Sequence, residues 1–216
     1  MMRQRRERSV FLEAMGSQAE LLHPKVREYA EGPGGAEGER GVVVGEGVFR
    51  VAGSRFGRLN LIARPFVGPE LLMTGFGRNV PFLVRNEQSL TPDGATKLTA
   101  TRVFCFEGGE QRFVDELFVG PDRGTLTNVL GGAGRVELRL RCSATDRGEL
   151  VLWSERAWLR LAGLRLRLPS FASVSVHVLH GYDERGGLQT VAARVRNPLL
   201  GTVLEYEGSF DAWPEQ

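Results

Sequence analysis

The stretch that decides the fold spans residues 135–169, RVELRLRCSATDRGELVLWSERAWLRLAGLRLRLP. Val136, Leu138, Leu140 and Cys142 alternate with Arg135, Glu137, Arg139 and Arg141; Leu164, Leu166 and Leu168 alternate again with Arg165 and Arg167. A repeat of two puts successive side chains on opposite faces of an extended chain, which gives strands with one apolar and one wet side. The rest of the chain must extend that sheet or cover its apolar face.

Working outward, strand patterns continue on both sides. Before the stretch come VPFLVRNEQS (80–89), a Pro92-Asp93-Gly94 turn, TKLTATRVFCFEGG (96–109) and QRFVDELFVG (111–120), with a hairpin at Gly108-Gly109. After it come FASVSVHVLHGY (171–182), a turn over 183–187, LQTVAARVR (188–196), Asn197-Pro198 and TVLEYEGSF (202–210). Short turns and no intervening helices imply antiparallel neighbours that must curl to hide their apolar face.

Nearer the N-terminus, residues 9–31 read as two short helices broken at His23-Pro24. Ser9 is a suitable N-cap, Gly16 a stop and Pro24 a first-turn residue. Val10, Phe11, Ala14 and Met15, then Leu21, Leu22 and Val26, form core-facing stripes. Residues 31–41 are a loop by composition. Residues 56–66 place Phe56, Leu59, Ile62 and Ala63 on one face of a third helix, which Pro65 should stop. The expected class is therefore mainly β (α+β): an antiparallel, strongly curved sheet or half-barrel with short N-terminal helices packed on it. One domain over 9–211 is expected, with helical parts 9–31 and 56–66 covering a sheet built from 41–53 and 71–210, and a disordered tail after Phe210.

GVVVGEGVFRVAG (41–53) looks like a dinucleotide fingerprint at Gly45 and Gly47, but Arg50 stands where a third small residue is required and no amphipathic helix follows. A strand with a glycine bend fits better.

Composition narrows function. The 216 residues, 42% of them hydrophobic, are enough for one sizeable core, and a net charge of +2 does not point to nucleic acid. Cys105 and Cys142 sit in strand patterns without metal or redox spacing, so buried free thiols in a reducing compartment are expected. The basic start MMRQRRERSVFLEAMG has no apolar run long enough for a secretory signal, nothing later resembles a membrane span, and a cytoplasmic location follows.

Motifs for chemistry are sparse. His177 and His180, three apart on a strand, point to opposite faces and cannot chelate together, and neither a Gly-x-Ser-x-Gly elbow nor a P-loop occurs. Glu205 and Glu207 share a face opposite Leu204 and Tyr206, which puts them on the wet side. Arg102 is different: it shares a face with Leu98, Ala100, Phe104 and Phe106 and so should point inward, where it needs a carboxylate from Asp115 or Glu116 or else the acidic head of a ligand. Large side chains at Phe104, Phe106, Phe113 and Trp158 should point inward too, and Trp153 belongs with the core. Charge is uneven. Residues 107–122 hold five acids and one arginine, while 156–182 hold four arginines and no acid. Adjacent strands would neutralise each other; if they lie apart, the arginine face suits anionic lipid or an acidic partner.

The order of these features resembles the family known as domain of unknown function 4166 over roughly Phe11 to Phe210. The marks are Leu22-His23-Pro24-x-Val26, the 41–53 strand, Arg102-x-Phe104, the hairpin to Phe113, the segment from Trp158 to Pro169, and Leu204-x-Tyr206-x-Gly208. The resemblance implies a bacterial, mainly β domain found alone or fused to dehydrogenase-like modules, and it supplies no catalytic residue. Tyr29 stands near where relatives are expected to carry a histidine.

These readings lead to a non-enzymatic domain that binds an apolar or amphipathic, lipid-like small molecule in the curved sheet, with Arg102, Phe104, Trp158 and Tyr206 as ligand-binding residues and with no catalytic residue, metal or cofactor. The alternatives are an interaction or regulatory module for a partner enzyme and, with the least support because no spacing brings nucleophile, base and orienter together, an enzyme.

Overall fold

In the computed structural model, residues 9–32, 41–68 and 70–215 are described, so the loop expected over 31–41 lies largely outside them. Eleven strands follow in order: β1 (Val42–Gly53), β2 (Phe76–Leu90), β3 (Thr96–Phe106), β4 (Gly109–Val119), β5 (Thr125–Leu130), β6 (Val136–Ala144), β7 (Leu150–Leu161), β8 (Leu164–Arg167), β9 (Ser175–Asp183), β10 (Leu188–Asn197) and β11 (Gly201–Pro214). All pairings are antiparallel. β1 joins β2 on one edge and β11 on the other, while β7 joins β6 on one edge and β9 on the other. The curved sheet thus closes into a ten-stranded barrel rather than the expected half-barrel, and β8 hangs from β7 as a flap. Closure removes sheet edges that would otherwise leave backbone donors and acceptors unpaired. β11 runs on to Pro214, so the tail expected after Phe210 is strand, held by β1 from Pro214 opposite Val43 onward.

β1 shows why glycine was needed. A Cβ at Gly47 would lie 2.2 Å from the Ser209 carbonyl oxygen, and one at Gly45 would lie 2.6 Å from that of Asp211, so only glycine lets β11 coil this tightly over β1. The bulge itself falls at Arg50, which has no partner in β11 between Phe49↔Gly208 and Val51↔Glu207.

The two ends of the barrel differ. One end is covered by α1 (Val10–Met15), a 3-10 turn (Gly16–Leu21) and α2 (Pro24–Glu31). Ser9 caps α1 through the Phe11 amide, and its hydroxyl donates to the Ala30 carbonyl, tying the helices together. Gly16 stops α1 as expected, and His23 caps α2 ahead of Pro24. Val10, Ala14, Met15, Leu22 and Val26 are buried, whereas Leu21 is exposed because the 3-10 turn rotates it off the stripe.

The other end carries a 3-10 turn (Gly57–Ala63) and α3 (Arg64–Val67). Pro65 lies inside α3 instead of stopping it, since an N-terminal turn tolerates proline. The expected apolar face is turned outward: Leu59 and Ile62 are exposed, and only Ala63 and Val67 reach the interior. The segment is pinned by two hydrogen bonds, Arg135 donating to the Pro65 carbonyl (2.7 Å) and the Asn60 side chain donating to the Met73 carbonyl (2.5 Å).

A further correction concerns β7. Leu140 faces Ser154 and Arg139 faces Arg156, which leaves Glu155 as an extra residue. The bulge reverses the alternation. Leu150 and Leu152 point inward, but beyond it Ala157 does, and Trp158 is turned to the outer wall under Arg165, whose guanidinium lies 3.9 Å from the ring centre. Trp153 is also outside, and more than a third exposed. Leu164 and Leu166 of β8 lie opposite Leu161 and Leu159, on the inner face of β7, but are exposed because a flap paired only to β7 has no interior to face.

Candidate functional site

The barrel encloses a cavity of about 400 Å³. Its wall is built from the inward positions of the strands, with Val84, Leu98, Phe113, Leu138, Val178 and Tyr206 among them. Phe49 and Phe82 stack along one side with ring centres 3.6 Å apart, and Phe104 packs on Phe49 without lining the cavity. At the end closed by α1 and α2 the cavity stops at Phe11, Tyr29 and Ala30. At the opposite end it is lined by Ala63, Ala172 and Leu200, all exposed, so it reaches the surface there.

Arg102 projects from β3 into this space. Its Nη1 donates to Asp115 Oδ1 on β4 at 2.5 Å, and Asn128 on β5 donates to the other Asp115 oxygen at 2.8 Å. The carboxylate is thus held from two sides, and it comes from Asp115 rather than Glu116, whose side chain pairs with Lys97 outside. The side chain of Arg102 keeps 21% of its surface accessible, and because it lines the cavity that surface faces the interior space. Its only hydrogen bond among the described residues is the one to Asp115, so further guanidinium N–H groups are presented to the cavity. Burial works against the charge, but the Tyr206 oxygen and Asp115 outweigh it and raise the guanidinium pKa.

A second polar group lies toward the α2 end. Tyr29 stacks on His180 with ring centres 4.6 Å apart and accepts a hydrogen bond from Asn86 Nδ2 at 2.8 Å. His180 Nε2 and Gln189 Oε1 are 3.0 Å apart, and Gln189 donates to the Lys25 carbonyl. Burial brings the His180 pKa down to about 4, with Arg102 adding to the effect and the Gln189 bond opposing it. Burial also pushes Tyr29 up to about 12 and raises Tyr206. At neutral pH these three rings are uncharged. Asn86 Oδ1 is buried with no hydrogen-bond partner. Val84 faces Arg102 and Asn86 faces Ala100 across β2 and β3, so Asn86 and Arg102 are diagonal neighbours on one face, about 7 Å apart.

Of the four residues expected at the site, Arg102 and Tyr206 line the cavity; Phe104 and Trp158 do not, Phe104 being fully buried against Phe49 and Tyr206. Sequence reasoning missed Asn86, Asn128 and His180, although each left the same sign as Arg102, a polar residue in an apolar register (Val80, Phe82, Val84, then Asn86). Glu205 and Glu207 are on the outside, paired with Arg55 and Arg50. His177 is exposed and His180 buried, on opposite faces as their spacing requires. Cys142 is buried and Cys105 partly so; both are free. The acidic β4 does not lie beside the arginine segment, since β5 and β6 intervene. Arg160 and Arg165 find Glu137 of β6 instead. No described helix is long and apolar enough to cross a membrane.

Comparison with known proteins gives a family and a distant relative. The chain is similar to the uncharacterised protein YndH of Bacillus subtilis (strain 168), 29% identical over 137 residues, which cover 62% of this chain and 65% of that one, so it spans just under two thirds of that relative's length. A solved structure concerning dehydratase substrate selection for the borrelidin and fluvirucin polyketide synthases is 13% identical and covers 82% of this chain and 89% of its own, but its TM-score of 0.21 is too low to carry an inference. The model of the family described as a domain of unknown function (DUF4166) matches residues 22–210. That match takes in α2 and every strand, the last as far as Phe210, and the chain therefore belongs to the DUF4166 family.

Proposed function

We propose that the barrel binds one amphipathic small molecule whose polar head meets Arg102 and whose apolar body fills the cavity toward the exposed end. The observation that carries this reading is a guanidinium with donors turned into a largely apolar space: a buried charge with unmatched donors is costly to keep unless something accepts from it. Asn86 Oδ1 adds an acceptor on the same face, so the head group that fits best combines an anionic acceptor, such as a carboxylate, with a hydroxyl or other donor within about 7 Å. A cavity of 400 Å³ falls in the range of small-molecule sites and holds, at about 30 Å³ per water-sized group, roughly a dozen such groups. Arg102, Tyr206 and Asn86 would orient the head, and Phe49 and Phe82 the body. The two free thiols accord with a reducing, cytoplasmic setting.

Native mass spectrometry of the protein as purified, followed by analysis of its organic extract, tests the reading. A single amphiphile bound one to one is expected, and it should be lost from Ala193→Trp, which fills the cavity. An extract without an amphiphile, together with no uptake of added medium-chain acids, would contradict it.

A further inference from the structure

The exposed end of the barrel has a second feature that ligand binding inside does not explain. Four separate segments surround the opening there: residues 57–67, the β7–β8 hairpin, the strap over 169–173 and the turn over 197–201. Each presents large apolar side chains to solvent, including Ile62 (73% exposed), Phe66, Leu166, Phe171 and Leu199 (74% exposed). Among the described residues, nine of the sixteen exposed large apolar side chains sit on these four segments, a concentration that a water-soluble surface does not ordinarily carry.

Arginines stand behind these tips. Arg156, Arg167 and Arg196, with Ser154, Ser170 and Ser173, line a surface cleft where β7 leaves β9 to pair with β8 and the wall splits. None of the three arginines has an acidic partner among the described residues. The neighbouring acids are already engaged, Glu155 with Arg141 at 2.7 Å and Glu205 with Arg55 and Arg194 at 3.5 and 3.8 Å. Guanidinium groups beside hydroxyls have the chemistry of a phosphate site. The strap is held in place by Asn197, which donates to the carbonyls of Phe171 and Ser173 and accepts from the amides of Leu199 and Leu200.

We propose that this end of the barrel docks on an anionic phospholipid bilayer, the apolar tips entering the interface and Arg156, Arg167 and Arg196 binding lipid phosphates. A bilayer fits better than a protein partner because the tips project singly from four segments around an opening and form no continuous groove or strip. The positive collar complements an anionic surface, and docking in this pose turns the cavity mouth toward the hydrocarbon.

Sedimentation of the full chain with extruded vesicles tests the proposal, using phosphatidylcholine alone or mixed with phosphatidylglycerol. Wild type is expected to bind the mixed vesicles, more weakly at high salt, and to leave pure phosphatidylcholine in solution. Ile62→Glu with Phe66→Glu should abolish binding, and Arg156→Ser, Arg167→Ser and Arg196→Ser together should weaken it on the order of a hundredfold. Leu21→Glu, at the opposite end, should change nothing; all these positions are exposed, and thermal melts confirm folding. Arg102→Met with Asp115→Asn should leave vesicle binding intact, which separates docking from the cavity. No partition of wild type into mixed vesicles, or partition indifferent to the rim substitutions, would overturn the proposal. So would a wild-type dimer that ignores vesicles and becomes monomeric in the rim variants.

Discussion

Arg102 and Asp115 show at the level of single residues how a polar pair can be read from an apolar pattern. Arginine among Leu98, Ala100 and Phe104 in a strand register has to point inward, and a buried cation requires a carboxylate within reach. That Asp115 would answer was legible only as one of two choices, because the parity of β4 relative to β3 depends on the hairpin register. Removing one partner leaves the other charge buried. Arg102→Met is therefore expected to cost about 3–5 kcal/mol in urea unfolding, and Asp115→Asn added to it should recover much of that loss. A double mutant as unstable as the single would argue against the pair.

His180 yields a pH dependence. Its pKa is about 4 in the fold against 6.5 for an unperturbed ring, so between those values the unfolded chain binds a proton that the folded chain does not. Its contribution is fully present above pH 6.5 and is lost as pH falls toward 4, by roughly 3 kcal/mol in all. His180→Gln should flatten the acid limb of the stability curve in that window; an unchanged limb would mean that the ring is not held neutral.

Among the elements, the strands were readable because alternation is a local property, and α1 and α2 because Ser9, Gly16 and Pro24 mark their ends. The bulges were not. Nothing in LVLWSERAWLRL marks Glu155 as the extra residue, since its place is fixed by the partner strand β6, and every inward assignment beyond it therefore reversed. Trp158 left the expected site for that reason alone. Deleting Glu155 should leave Ser154 and Arg156 consecutive opposite Leu140 and Arg139, keep Ala157 inward and Trp158 outward in a regular ladder, and lower stability by roughly 1–3 kcal/mol in thermal unfolding through loss of the local bend and of the Arg141–Glu155 pair. A deletion variant that melts with wild type would show the bulge to be incidental. The segment over 57–67 misled for a different reason. Its apolar residues follow helical spacing, yet the backbone forms a 3-10 turn, which places them around the mouth instead of beneath it.

For the molecule as a whole, strand order was implied by the succession of short turns, but closure was not. It depends on pairing between β1 and β11 at opposite ends of the chain and on β7 serving both β6 and β9, and neither leaves a local trace. Closure is what turns a curved sheet into a container, and a polar residue in its wall into a candidate ligand anchor. The most direct measurement is the affinity of decanoate against decanol for wild type and for Arg102→Met with Asp115→Asn. Wild type is expected to prefer the carboxylate by roughly tenfold or more, the worth of one charge-assisted hydrogen bond, and the variant should lose that preference while keeping its affinity for the alcohol. Equal preference in both proteins, or binding of neither compound, would contradict a barrel that holds its ligand by Arg102.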